Sequence, residues 1–178
     1  MKKILSLALL LLAAMMTTAT FTACGDDDDN PNTTETPAQK AAGTYSGTDK
    51  VTIRGTWTYE SSADYIITAN NDGTINLTVG EEKYSKTVIG DIIQGTFTIK
   101  NIPYEATTHS FTKNYKADEI KAHVKTSIMD DDYLLSSDTE TITVTPQEDG
   151  SIKVVNSQYT YGEKMPFKID AEFTGTRK

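Results

Sequence analysis

The sequence predicts an all-β domain: an antiparallel up-and-down β-barrel of about 8–10 strands, with a β-sandwich as the alternative. Three observations carry that expectation. Apolar and polar residues alternate with period two through most of the chain. Turn residues separate these runs at roughly the 8 to 15 residue spacing of a meander. No βαβ alternation and no convincing helix of more than two turns interrupts them, the strongest helical stretch being Ala117 to Lys121, which also fits a strand entry.

The chain has 178 residues, and 1–23 read as a lipoprotein signal peptide. Lys2 and Lys3 precede an apolar run from Ile4 to Met16, and small and hydroxyl residues follow up to Ala23. That run is shorter than the roughly 20 residues a membrane-spanning helix needs, so cleavage is expected. Phe21-Thr22-Ala23-Cys24 resembles a loose lipobox, whose cysteine becomes the first residue and takes a thioether-linked diacylglycerol. Cys24 is the only cysteine, and a lone thiol in an oxidising compartment has no disulfide partner, so lipid attachment explains it better than a plain signal peptide does. One acyl chain such as palmitate holds a protein only marginally on a bilayer, whereas two or more anchor it stably.

Asp26, Asp27, Asp28 and Asp29 follow directly. Such a run behind the lipidated cysteine resembles the surface-export signal of Bacteroidetes-type lipoproteins, so the expected location is the outer membrane, lipid-anchored and facing the cell exterior. Calcium is the competing reading of clustered carboxylates, but four consecutive Asp repel one another and stay extended. Residues 24–42 are therefore expected to be a lipidated, acidic and polar tether; Pro31 to Lys40 has no apolar periodicity. Residues 43–178 are expected to form a single domain, long enough to bury well over half of its unfolded surface.

Along that domain the strands justify themselves in turn. Val51 and Ile53 alternate with Thr52 and Arg54 and lead to Trp57 and Tyr59; Ile75, Leu77 and Val79 form the next run. Phe97 with Ile99, then Ile120, Ala122, Val124 and Ile128 set against Lys121, His123 and Lys125, and Ile142 with Val144 between threonines continue the pattern. Phe167-Lys168-Ile169-Asp170-Ala171-Glu172-Phe173 is the clearest case, with apolar residues on one face and charges on the other. The in-phase apolar residues, Trp57 and Phe167 among them, are expected to face one interior. Asn71-Asp72-Gly73 and Glu148-Asp149-Gly150 supply the positive φ of tight hairpins, and Asp130-Asp131-Asp132 reads as a solvated turn.

Gly43-Thr44-Tyr45-Ser46-Gly47-Thr48, Asn71-Asp72-Gly73-Thr74-Ile75-Asn76-Leu77, Gly90-Asp91-Ile92 and Phe173-Thr174-Gly175-Thr176, in that order behind a lipoprotein leader, look like the calycin-like β-barrel domains of Bacteroidetes surface lipoproteins. The resemblance runs from Gly43 to Thr176 and implies a lipocalin-related barrel without a defined activity. The Gly-x-Trp that opens true lipocalins is here Gly43-Thr44-Tyr45, which puts their Trp-on-Arg plug in question, although Arg177 lies where a cationic partner could serve.

Charge and motifs narrow the function. Asp and Glu number 25 against 17 Lys and Arg, two of which go with the leader; an acidic chain argues against nucleic acid, whose phosphates need basic patches. Membrane contact is left to the lipid. Ser46 sits in GTYSG, which is not a nucleophile elbow, and two histidines with no spare cysteine do not make a zinc site. Asp170 and Glu172 share a face, but it is the outward one, and alternation reveals no inward carboxylate pair. No catalytic residue, no metal and no cofactor is therefore expected. Trp57 with Tyr59 and Tyr159 with Tyr161 are spaced two apart, so each pair could serve a ligand or the core. The expected function is a non-enzymatic surface lipoprotein binding a small apolar or amphipathic ligand or a partner; the alternative is a structural or adhesive module of a cell-envelope assembly. Protein partners cannot be named from the sequence.

Overall fold

The computed structural model describes residues 35–135, 141–163 and 165–178. The leader, Cys24, Asp26, Asp27, Asp28 and Asp29 lie outside the described residues.

The first element is helix α1 (Pro37–Ala41), opened by a capping box in which the Thr36 hydroxyl accepts from the Gln39 amide at 3.2 Å and the Gln39 side chain accepts from the Thr36 amide at 2.8 Å. Strands follow: β1 (Gly43–Ile53), β2 (Trp57–Ala69), β3 (Ile75–Val79), β4 (Glu82–Thr87), β5 (Gly90–Gln94), β6 (Phe97–Ile102), β7 (Tyr104–Glu105), β8 (Ser110–Lys113), β9 (Lys121–Lys125), β10 (Asp130–Leu134), β11 (Thr141–Pro146), β12 (Ile152–Tyr161) and β13 (Met165–Arg177). Ala117 and its neighbours form a 3-10 turn, Lys116–Asp118.

Nine strands pair antiparallel in the order β6-β3-β2-β1-β13-β12-β11-β8-β7, and β10-β9-β5-β4 make a second sheet. The nine nearly close a barrel. At the seam the Lys113 ammonium donates to the Lys100 carbonyl at 2.7 Å. The strand count of this barrel lies within the expected range; the second sheet comes in addition. It is tied to the barrel where the Lys83 amide donates to the Ser61 hydroxyl at 2.8 Å.

The interior holds most of the expected apolar set, with Ile75, Leu77, Ile99, Val124, Val144 and Phe173 fully buried. Close packing demands glycine at two paired positions, Gly47 and Gly175. A Cβ on Gly47 would stand 1.9 Å from the Thr174 carbonyl oxygen, and one on Gly175 would stand 2.5 Å from the Phe173 ring. That ring instead stacks on Tyr65, centroids 3.8 Å apart.

Four expectations need correction. Trp57 and Phe167 are 40% and 39% exposed rather than interior; alternation gives them the inward phase, but they stand at strand ends beyond the covered depth. The tether ends earlier than residue 42, because Ala38 and Ala41 of α1 are buried against the barrel. Asp130 to Asp132 belong to strand β10, not to a turn. Ile128 stands outside the core, on the connection between β9 and β10.

The end of the barrel covered by α1 is closed by Tyr45. Its hydroxyl donates to the Ala41 carbonyl at 2.9 Å and accepts from the Arg177 guanidinium at 2.9 Å, while Arg177 also donates to the Lys40 carbonyl. The guanidinium lies 5.5 Å from the Tyr45 ring centroid. Tyr45 and Arg177 together thus plug this end, an aromatic ring with a cation beside it.

Candidate functional site: the barrel mouth and a buried carboxylate pair

The opposite end of β1 opens into a recess of about 270 Å³. Three local structures build it. The β1–β2 turn uses positive φ at Arg54 and Gly55, and the Arg54 amide donates to the Lys168 carbonyl at 3.0 Å, fixing the start of β13. The β4–β5 hairpin turns at Gly90, with φ of 91°, and the Thr87 hydroxyl donates to the Gly90 carbonyl at 2.6 Å. Its tip is tied to β2 where the Val88 amide donates to the Tyr59 hydroxyl at 3.2 Å. Between them, Ile53, Ile92 and Ile169 form the floor, and Trp57, Val88, Ile89, Met165 and Phe167 form the walls. Arg54 lies over the Phe167 ring, 3.9 Å from its centroid, so one cation borders an otherwise apolar rim.

The aromatic pairs part company. Trp57 and Tyr59 belong to this mouth, the one lining it and the other tethering the hairpin tip. Tyr159 and Tyr161 are buried in the core with ring centroids 5.7 Å apart and perpendicular.

Deeper in, a polar cluster corrects the expectation that no carboxylate pair faces inward. Asp49 and Glu82 are 1% and 2% exposed. The Tyr65 hydroxyl lies 2.8 Å from Glu82 and 3.3 Å from Asp49; the Tyr84 hydroxyl lies 2.7 Å from each. The Gln94 amide donates to Glu82 at 2.6 Å, and Tyr161 donates to the Gln94 oxygen. Burial pushes the Asp49 carboxyl up to about 6. Burial, and then the charge of Asp49, push Glu82 up to about 8. The sequence did hold half of the signal, since Asp49 is in phase with Val51 and Ile53; Glu82 stands in a short polar run whose phase is unreadable alone. Near these groups the interior has a void of only about 10 Å³, beside Asp49, Tyr65 and Asn156. That is about one water's worth of space, so the interior is filled around this pair.

On the outer face of the second sheet, His123 stands between Asp132 and Asp130, each 2.9 Å from a ring nitrogen. Hydrogen bonding to Asp132, more than to Asp130, raises its pKa. His109 contacts only the Tyr104 hydroxyl, at 3.2 Å, among the interactions described. No group of three or more metal-ligating side chains occurs among the described residues. Asp170 and Glu172 face outward as alternation predicts, Asp170 accepting from Gln158 and Glu172 pairing with Lys153.

The model of the Calycin-like beta-barrel domain family matches residues 41–176. The chain belongs to that family. No curated protein and no solved structure matches it. A calycin-like barrel fits a ligand-binding or carrier module, and in this calycin-like chain an accessible apolar recess lies at the mouth.

Proposed function

We propose that this calycin-like domain is a non-enzymatic, lipid-anchored surface module that holds a small apolar or amphipathic ligand at its mouth. The recess carries the reading: about 270 Å³ of apolar space is bordered by exposed Trp57, Val88, Ile89 and Phe167. Large apolar side chains left in water together mark a contact site. The volume sits just below the range of drug-sized pockets, which favours a short chain or a single ring. Arg54 at the rim supplies a partner for an anionic head, such as a carboxylate. The anchor and the outward location are supported by the leader, Cys24 and the Asp26 to Asp29 run.

Trp57 is the only tryptophan, so its emission reads the recess directly. Titration with decanoate should give a saturable blue shift that Phe167→Ser weakens about tenfold, the loss of an aromatic face that the ligand would cover being worth about 1.4 kcal/mol. Unchanged emission, or equal binding by a folded Phe167→Ser variant, would refute the ligand site. The second reading, a structural or adhesive module, draws on the tight packing around the carboxylate pair. It stands if no amphiphile binds and the same rim instead joins the domain to a partner protein.

A further inference from the structure

We propose that Asp49 and Glu82 share a proton at neutral pH, and that this proton holds the β4–β5 hairpin, one wall of the mouth recess, against the barrel. The part concerning the recess rests on the ligand reading; the proton does not.

Counting hydrogens carries the inference. Tyr65, Asp49, Tyr84 and Glu82 form a ring joined by four oxygen–oxygen contacts, three of them at 2.7 to 2.8 Å and the fourth at 3.3 Å. Each short contact needs a hydrogen between its oxygens. The phenols own two, and an ionised carboxylate owns none. The third must come from a protonated carboxyl. Gln94 does not supply it: a hydrogen lying between two of these oxygens belongs to one of them, and the Gln94 amide nitrogen meets the ring through a separate contact, to Glu82. The surroundings agree. Among the described residues the other buried titratable groups are tyrosines as well: Tyr159 and Tyr161 on β12, both held in the neutral phenol form by burial, Tyr115 before the 3-10 turn, Tyr133 on β10 and Tyr45 at the closed end. The inward residues of β13 and β9 are apolar, and no Lys, Arg or His among the described residues is buried. Among the described residues nothing would compensate two charges here.

The hairpin is the part that would yield. β1 is paired on both sides, by β2 and β13, whereas β4 is the edge of its sheet. Glu82, Tyr84 and Gln94 stand at the hairpin's root; Val88 and Ile89 stand at its tip, in the recess. Loss of the proton would loosen the root and move the wall.

The direction with pH follows from linkage. Both carboxyls are held above their ordinary values of 3.8 and 4.5, so the folded state binds protons more tightly than the unfolded chain. Stability is therefore full in mild acid and falls as the pH rises from those values through about 8.

The test follows the whole protein from about pH 5 to pH 9 by isotope-edited infrared spectroscopy of the carboxyls, Trp57 emission and thermal unfolding. A protonated-carboxyl band present at pH 7 should vanish toward pH 9, with a red shift of Trp57 over the same range while the far-ultraviolet dichroism persists. Glu82→Gln, which keeps a donor in the ring at every pH, should flatten the Trp57 shift and the pH dependence of melting. Two ionised carboxyls at pH 7 would overturn the proposal, as would a folded Glu82→Gln variant whose emission titrates like the parent. Should that variant not fold, the infrared band of the unaltered protein and Asp49→Asn decide in the same way. Binding of decanoate at no pH, with the band and the Trp57 shift intact, would remove the ligand reading and leave the proton in place.

Discussion

Ile169 and Lys168 are neighbours on β13 that meet opposite environments: Ile169 is 4% exposed and Lys168 points to water. Ile169→Asp would put a charge on a buried apolar floor and should cost several kcal/mol, whereas Lys168→Asp should stay within about 0.5 kcal/mol. Chemical denaturation measures both, and equal losses would refute the inward assignment of Ile169. At this scale the period of two told inside from outside for most residues, because phase depends only on neighbours along the strand. Depth is another matter. Trp57 and Phe167 have the same phase as buried residues, and only the position where the covering hairpin stops decides that they meet solvent. Asp49 shows the converse, a carboxylate whose inward phase was visible but whose partners, Tyr65, Tyr84 and Glu82, come from two other strands.

Among the elements, α1 was the least legible. Its five residues lie in a stretch that looks polar, and they fold because Thr36 caps them and the barrel end buries Ala38 and Ala41. Arg177→Ala removes the donor to both the Lys40 carbonyl and the Tyr45 hydroxyl. It should cost roughly 1 kcal/mol, the exposed guanidinium being partly screened. Amide exchange of Lys40 and Ala42, which bond within this turn, should speed up while the β-sheet amides stay protected. Uniform acceleration throughout would place Arg177 in global stability instead. Strand β10 was hidden for a related reason. Three consecutive carboxylates read as a turn on their own, but pairing sets Asp130 opposite Lys125 and Asp132 opposite His123, and opposite charges across a ladder favour the strand. Local pattern reveals which residues can form a strand; it does not reveal the charges that the neighbouring strand brings.

For the molecule as a whole, the proposed anchor makes its own prediction. Cys24→Ala should leave the protein in the soluble or unprocessed fraction, and replacing Asp26 to Asp29 with alanine should keep it lipidated but protected from protease on intact cells. Partition of the cysteine variant into the detergent phase after processing, or undiminished shaving of the alanine variant, would refute the corresponding half. Tyr45 and Arg177 clasp α1 at the closed end, while the recess lies eight residues further along β1, at Ile53. At about 3.3 Å per residue, that strand separates the two ends by roughly 26 Å. The domain is therefore polar in the geometric sense: the segment that enters the fold at Thr36 does so at the foot, and the mouth opens at the head.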